Sequence, residues 1–126
     1  MADISSTHRW AADPGADPLE RAVEEIGDRW MLLIIWAAFN GTSRFDDFQR
    51  DLSVARNILS NRLRRLVEQG ILQKRPVREG ARRMQYALTD KGRALRGTLE
   101  GLRGWGDAWT EGAASGGAKD LADGVD

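Results

Sequence analysis

The strongest pattern of hydrophobic and polar positions runs from residue 55 to residue 69. Its apolar residues recur at i, i+4, i+7 and i+8, the spacing of one helical face, and they are Leu59, Leu63, Leu66 and Val67. The other side carries hydrogen-bonding side chains, namely Asn57, Ser60, Asn61, Arg64, Arg65 and Glu68, with Arg56 and Arg62 on its flanks. Arginine can pair with guanine, and asparagine with adenine, in the DNA major groove. The pattern therefore predicts a helix that packs on a core and reads DNA, with a merely solvated polar face as the alternative.

A shorter amphipathic segment comes directly before this helix. Phe45, Phe48 and Leu52 follow the spacing i, i+3 and i+7, and Ser43 is a suitable N-cap for the helix they predict. Only residues 51–54 join the two segments. This order predicts a helix-turn-helix whose second helix enters the major groove.

Two further helices are predicted upstream. The first begins at Asp17-Pro18, an N-cap followed by proline, and ends at Gly27; its inner face holds Leu19, Ala22, Val23 and Ile26. Asp28 is a plausible cap for the second, which is apolar on every side from Met31 to Phe39 and stops at Asn40-Gly41. A helix that is apolar all round is expected at the centre of the core, or in a dimer interface as well.

Two short strands with a basic turn are predicted downstream, at residues 71–77 and 84–88. In the second strand Met84, Tyr86 and Leu88 alternate inward. The turn at residues 78–83 contains three arginines, Arg78, Arg82 and Arg83. Such a hairpin is the wing of a winged helix and is expected to contact phosphates or the minor groove; a charged hairpin tip without a ligand is the alternative.

A last helix is predicted from a Thr89 cap to about Trp109. Large apolar residues form a narrow stripe along it, namely Leu95, Leu99, Leu102, Trp105 and Trp109. This stripe indicates a partner surface, unless it closes over the chain's own core. We predict a flexible arm at residues 1–16, one domain at residues 17–111 and a disordered tail at residues 112–126.

The net charge is zero, with 19 basic and 19 acidic residues, but the charges are unevenly placed. Residues 44–96 hold 14 basic and 6 acidic residues, whereas the segments on either side are both acidic. A basic centre between acidic ends is the electrostatic pattern expected of a DNA-binding face.

The composition offers little for catalysis. There is no cysteine and a single histidine, His8, which lies in the predicted arm, and neither a phosphate-binding loop nor metal-ligand spacing is present. We therefore expect neither an enzyme nor a bound cofactor. The longest apolar run, from Trp30 to Phe39, is far too short to span a membrane, and a cytoplasmic location is expected.

Three segments carry a family resemblance: PLERAVEEIGDRWMLLIIWAAFNGTSRFDDFQRDL, ARNILSNRLRRLVEQGIL, and YALTDKGRAL followed by the WGDAW region. Together they resemble the HxlR family of bacterial winged-helix transcription regulators, over residues 17 to about 109. The helix-turn-helix pattern alone leaves MarR-like and other winged-helix families open. The resemblance implies a mainly α fold with a small β-wing, a winged helix-turn-helix that dimerises through its N- and C-terminal helices.

The resemblance also implies roles for individual residues. The dimer interface would include Leu19, Val23, Leu99, Leu102, Trp105 and Trp109. Base edges would be contacted by Asn57, Ser60, Asn61 and Arg64, and phosphates by Arg56, Arg62, Arg78, Arg82 and Arg83. A homodimer would bind double-stranded DNA, at a pseudo-palindromic operator in the bacterial nucleoid, and repress by occupying a promoter.

Two positions depart from the family pattern. Many members carry a cysteine just before the first helix, where this chain has Asp17, so any signal is expected to be independent of thiol chemistry. Ala55 replaces a frequent serine cap, which leaves Ser53 to cap the recognition helix or makes its end less stable by about 1 kcal/mol.

Control by a small effector is a further expectation. Trp30, Met31 and Trp36 could enclose a pocket for an apolar or aromatic ligand, although tryptophan-rich stripes are more often plain core.

The functional alternative is a winged-helix module that binds a protein partner through Trp105 and Trp109 and reads no DNA sequence; the basic centre of the chain argues against it.

Overall fold

The structure, a computed structural model, describes residues 17–112. The predicted arm at residues 1–16 and nearly all of the predicted tail lie outside the described residues. The chain divides into two compact units between Arg93 and Ala94. The first contains α1 (Pro18–Ile26), α2 (Arg29–Phe39), α3 (Phe45–Leu52), α4 (Arg56–Glu68), β1 (Leu72–Pro76), β2 (Met84–Leu88) and α5 (Asp90–Arg93), and the second contains α6 (Arg96–Trp109).

Aspartates fix the starts of the first two helices, as predicted. One carboxylate oxygen of Asp17 accepts a hydrogen bond from the backbone N–H of Leu19 at 2.7 Å, and Pro18 occupies the first helical position. Asp28 accepts from the N–H groups of Trp30 at 3.0 Å and Met31 at 3.1 Å. Both caps satisfy backbone donors that a helix start otherwise leaves without partners.

The core of the first unit forms around α2, which confirms the prediction for that helix. Fully or nearly fully buried side chains come from α2, from α3 and α4, and from the segment that leads into β1; they include Met31, Ile34, Ile35, Phe48, Leu59, Leu63, Leu66, Ile71 and Leu72. The apolar face predicted for the recognition helix is therefore the buried face of α4. Burial of this face fixes which side of α4 is left to solvent.

β1 and β2 pair antiparallel, with Leu72 opposite Leu88 and Lys74 opposite Tyr86. The Tyr86 ring meets the buried Phe48 ring edge-on, with centroids 6.4 Å apart. The predicted inward position of Met84 is wrong, because its side chain is 36% exposed at the outer end of the hairpin, away from the core. The architecture is a winged helix-turn-helix, mainly α with one small sheet.

Two predicted helix caps differ in the structure. Ser43 does not cap α3: the N-cap is Arg44, which makes no side-chain cap hydrogen bond, and the carbonyl of Ser43 instead accepts from the Tyr86 N–H at 2.7 Å. For α4, the structure has the second of the two predicted alternatives, a start without a side-chain cap, and Ser53 does not cap it. Ser53 is the left-handed C-cap of α3, with φ 52°, and Ala55 begins α4 without a side-chain cap. Ser43 is thus bonded to the wing through its carbonyl, and Ser53 lies in the tight turn that ends α3. The local sequence pattern assigns both serines to helix capping.

The predicted continuous last helix is also wrong, because residues 94 and 95 form a turn between α5 and α6. The Thr89 hydroxyl caps α5 by accepting from the Gly92 N–H at 3.1 Å, and the Arg93 side chain donates to the Leu88 carbonyl at 2.8 Å. These bonds tie α5 to the end of β2. Glycines at positions 92 and 97, poor helix formers, flank the break.

Candidate nucleic-acid interface

The polar side of α4 is presented to solvent, as its amphipathic pattern predicts. Asn57, Ser60 and Arg64 are exposed, and Asn61 is half-buried. Arg64 lies 3.8 Å from Glu68, and because both side chains are largely exposed this pair contributes little to stability. Arg64 is therefore free to exchange Glu68 for a base edge at small cost.

The start of α4 holds Arg56 against α3. Its guanidinium lies 4.6 Å from the centroid of the Phe45 ring and 3.9 Å from the Asp46 carboxylate. The side chain is 70% exposed, so these contacts orient it without removing it from solvent. An arginine in this position can still reach a phosphate.

Arg62 differs from the other predicted phosphate contacts. Its side chain is only 24% exposed and forms a two-point ion pair with Asp28, with Nε 3.0 Å from Oδ2 and Nη2 3.1 Å from Oδ1. Two parallel charge-assisted bonds are stronger than the single contacts of surface pairs. Arg62 thus fastens α4 to the start of α2, and its guanidinium is less available to a phosphate than those of the exposed arginines.

The ion pair gives the folding of the protein a specific pH dependence. The hydrogen bond from Arg62 holds the pKa of Asp28 below its ordinary value of 3.8, against the opposing effect of burial. A carboxyl group whose pKa is lower in the folded state stabilises the fold above the unfolded pKa, and that contribution is lost as the pH falls through the folded value. We therefore expect wild-type protein to lose more stability than Asp28→Asn between pH 5 and pH 2, by urea denaturation. Parallel losses would contradict a role for this carboxylate in acid stability.

The wing presents arginines at its tip. Arg78, Arg82 and Arg83 are all exposed, and none of them forms an ion pair within residues 17–112. The turn is closed by a hydrogen bond from the Ala81 N–H to the Arg78 carbonyl at 3.0 Å, with Gly80 at φ +80°. Only glycine adopts that backbone angle without strain.

A cavity of about 500 Å³ lies between the start of α3, the start of α4 and one side of the wing. It is lined by Arg44, Phe45, Asp46, Asp47, Arg56, Lys74, Arg83, Met84 and Tyr86. Four basic residues against two acidic ones make its lining suitable for an anionic group such as a backbone phosphate. Arg44 and Lys74 were not among the sequence-predicted contacts, because their place beside Arg56 and Arg83 depends on how α3 packs against the sheet.

The residues predicted to enclose a ligand pocket lie on α2, in the first unit. Met31 is fully buried, Trp30 and Trp36 are half-buried, and the cavity beside the wing is lined by other residues. In the same unit Leu19 and Val23 of α1 are 68% and 55% exposed.

In the second unit one face of α6 is apolar and exposed. Leu102, Trp105 and Trp109 are 53%, 60% and 75% exposed, whereas Leu99 is buried. Exposed tryptophans of this size are unusual on a monomer surface. Of the predicted interface residues on α6, Leu99 is the buried one.

The described residues give no sign of two other kinds of site. Between residues 17 and 112 no cluster of histidine, cysteine, aspartate and glutamate is arranged to hold a metal ion. In the same range no helix combines the length and the apolar character needed to cross a membrane.

Residues 25–114 match the family model described as HxlR-like helix-turn-helix. An uncharacterized HTH-type transcriptional regulator of Mycobacterium tuberculosis is 38% identical over 109 residues, which are 86% of this chain and 66% of that protein. The chain thus spans slightly less than two thirds of that relative. The uncharacterized HTH-type regulator YvaP of Bacillus subtilis is 33% identical over 93 residues, which are 73% of this chain and 86% of YvaP.

Solved structures agree in fold. The crystal structure of PA1607, a candidate transcription factor, has a TM-score of 0.73 and 41% identity, and the match covers 86% of this chain and 71% of that one. The redox regulator HypR in its reduced form has a TM-score of 0.66 and 27% identity, with 73% and 92% covered. The reduced transcriptional regulator YodB from B. subtilis has a TM-score of 0.64 and 28% identity, with 75% and 95% covered.

Proposed function

The chain belongs to the HxlR family of helix-turn-helix transcriptional regulators, and from this premise we propose that it binds a pseudo-palindromic operator as a homodimer and represses transcription. The observation that carries the proposal is the surface of the first unit. There the exposed polar side of α4 and the arginines of the wing belong to one continuous basic segment of the chain. Both are the elements with which winged helices bind DNA.

The proposed contacts divide into two kinds. Asn57, Ser60, Asn61 and Arg64 on α4 would read base edges, because they are the polar side chains opposite its buried face. Phosphates would be held by exposed basic residues at the start of α3, the start of α4 and the wing, namely Arg44, Arg56, Lys74, Arg78, Arg82 and Arg83. Phosphate contacts set the register of a protein on DNA, and base contacts select the sequence.

Homodimerisation is supported by apolar surface in each unit. Leu19 and Val23 on α1, and Leu102, Trp105 and Trp109 on α6, leave large apolar side chains in solvent when the chain is alone. Covering such residues in a second copy would remove that cost. A two-fold dimer would place two recognition helices about 34 Å apart, which matches half-sites about 10 bp apart.

Control of the regulator would not use a thiol. HypR is a redox regulator, but the 126 residues of this chain contain no cysteine. We propose an apolar or aromatic effector that binds beside Trp30 and Trp36, which are half-buried on α2. Neither tryptophan lines the cavity beside the wing, so the effector proposal rests on the half-buried tryptophans alone.

The competing proposal is a protein-interaction module, and its supporting observation is the exposure of Trp105 and Trp109. A module of that kind has no need of arginines on both α4 and the wing. Incubating the protein with a random duplex library at two salt concentrations separates the two. Enrichment of a two-fold symmetric motif supports the operator-binding dimer, whereas retention without a motif supports charge-driven or protein-directed binding.

Replacing either of two arginines should weaken DNA binding, but in different ways. Arg64→Ala is expected to cost about 1 to 3 kcal/mol of binding free energy and to relax the preference at one base pair in each half-site. Arg82→Ala should weaken binding to all sequences alike and reduce the salt slope by about one unit, because it removes one phosphate contact. Titrations on the selected operator and on single-base variants measure both effects. An equal loss on every sequence for both variants would remove Arg64 from the base contacts.

A further inference from the structure

A continuous chain of hydrogen bonds runs from the start of α2 to the polar side of α4. Asp28 accepts two bonds from Arg62, and the third nitrogen of the same guanidinium, Nη1, donates to Oδ1 of Asn61 at 3.0 Å. Asn61 is one of the proposed base-reading residues. The carboxylate that begins this chain lies 34 positions away from Arg62 in sequence and belongs to another helix.

The bond from Arg62 fixes which polar atom of the Asn61 amide faces inward. A guanidinium only donates hydrogen bonds, so the atom that faces it must be the carbonyl oxygen. The remaining polar atom of the Asn61 side chain is then the amide nitrogen, which has two N–H donors. An asparagine without such a neighbour can turn its amide by half a rotation and offer either a donor or an acceptor to a base.

The anchor of this chain is rigid. Asp28 caps α2 through the backbone N–H groups of Trp30 and Met31, and the Met31 side chain is fully buried in the core. The Arg62 side chain is 24% exposed and that of Asp28 is 34% exposed, whereas both members of the Arg64–Glu68 pair are more than half exposed. A two-point, partly covered pair keeps its geometry better than an exposed single contact.

We propose that Arg62, held by Asp28, is a specificity-determining positioning residue that locks Asn61 as a hydrogen-bond donor toward DNA. Locked in this way, Asn61 accepts bases that present an acceptor in the major groove, such as guanine, thymine or the N7 of adenine, and rejects cytosine, whose major-groove edge presents the N4 donor. The inference rests on the proposed function, because it assumes that α4 reads base edges. It deepens that function by assigning the source of selectivity at one base pair.

Two substitutions test the lock without removing Asn61. Asp28→Asn keeps a good N-cap, because asparagine caps helices as well as aspartate does, but it removes the charge that holds Arg62. Arg62→Lys keeps the positive charge but cannot hold Asp28 at two points and Asn61 at a third. Asp17→Asn is the matched control, because Asp17 caps α1 in the same manner and α1 takes no part in the chain of bonds.

The readout is base preference, position by position. The operator base pair read by Asn61 is first identified as the one whose preference disappears in Asn61→Ala. At that pair, wild type and Asp17→Asn should discriminate against cytosine about tenfold, and Asp28→Asn and Arg62→Lys should reduce this discrimination about fivefold while other positions keep theirs. Adding Arg62→Lys to Asn61→Ala should change nothing further at that position.

The failures of the two proposals are distinguishable. If wild type enriches no motif, the proposed function fails. If wild type enriches a motif, the lock is overturned by either of two results: Arg62→Lys leaves the cytosine discrimination intact, or it lowers affinity on all sequences alike. A measurement without DNA tests the lock even when no motif is enriched. The side-chain amide signals of Asn61 in a ¹⁵N NMR spectrum should shift in Asp28→Asn and not in Asp17→Asn, and unchanged signals in both would overturn the lock.

Discussion

Replacing Gly92 by alanine is expected to lower the free energy of unfolding by about 3 kcal/mol. Gly92 is buried in α5, and a Cβ atom added there would lie 2.3 Å from the carbonyl oxygen of Ile71 and 3.0 Å from a methyl group of Leu88. The Ile71 carbonyl cannot move aside easily, because it already accepts bonds from the backbone N–H and the hydroxyl of Thr89. Urea denaturation followed by far-UV circular dichroism measures the loss.

Gly97→Ala is the matched control for this prediction. Gly97 lies in α6, and an added Cβ would meet no heavy atom within 4 Å. Alanine is the better helix former by about 1 kcal/mol, so this variant should be as stable as wild type or slightly more stable. Equal stabilities for the two variants would mean that α5 can shift without cost. The close packing of α5 against the sheet would then not fix the position of the wing.

Replacing Phe48 by alanine should cost about 3 to 5 kcal/mol, the range found when a fully buried aromatic side chain is removed. Phe48 has no exposed surface, and its ring packs edge-on against Tyr86 of β2. The substitution leaves a cavity at the point where α3 supports the wing. Because small domains are stable by only about 5 to 15 kcal/mol, we expect a large drop in melting temperature and weaker DNA binding at temperatures near it.

Phe45→Ala is the comparison variant on the same helix. It tests whether the stability lost in Phe48→Ala comes from the burial of that side chain or from the loss of any aromatic ring on α3. Phe45 is half-buried and lies under the Arg56 guanidinium, so its loss should cost far less stability than the loss of Phe48. It should still weaken DNA binding modestly, because Arg56 would lose the ring that orients it. If the two phenylalanine variants melted at the same temperature, the assignment of Phe48 to the core of the first unit would be wrong.

The wing arginines and Asn61 of the proposed interface depend on the fold to different degrees. The exposed arginines of the wing need only a hairpin that keeps them in solvent, and their contribution should vary smoothly with salt. Asn61 needs more, because its orientation is set by a residue that is itself held by another helix. Sequence preference at that position should therefore be more sensitive to changes in α2 than overall affinity is.

The sequence by itself determined most of the helices and both strands of this protein. The aspartate caps at residues 17 and 28, the buried face of α4 and the two strands of the wing all follow from local rules of capping, periodicity and turn chemistry. The exposed positions of Asn57, Ser60 and Arg64 follow from the same periodicity, because burying one face of a helix leaves the opposite face to solvent.

Only the tertiary structure decided how the side chains of different elements meet. The family resemblance implies a phosphate contact for Arg62, and only the fold shows that its guanidinium lies 3.0 Å from Asp28, because α2 packs against α4. Arg44 and Lys74 line the cavity beside the wing, and residues 94 and 95 interrupt the last helix after α5, which is tied to β2. The physical reason is the same in each case: periodicity and capping act over a few residues, whereas ion pairs, cavities and backbone contacts join positions that are distant in sequence.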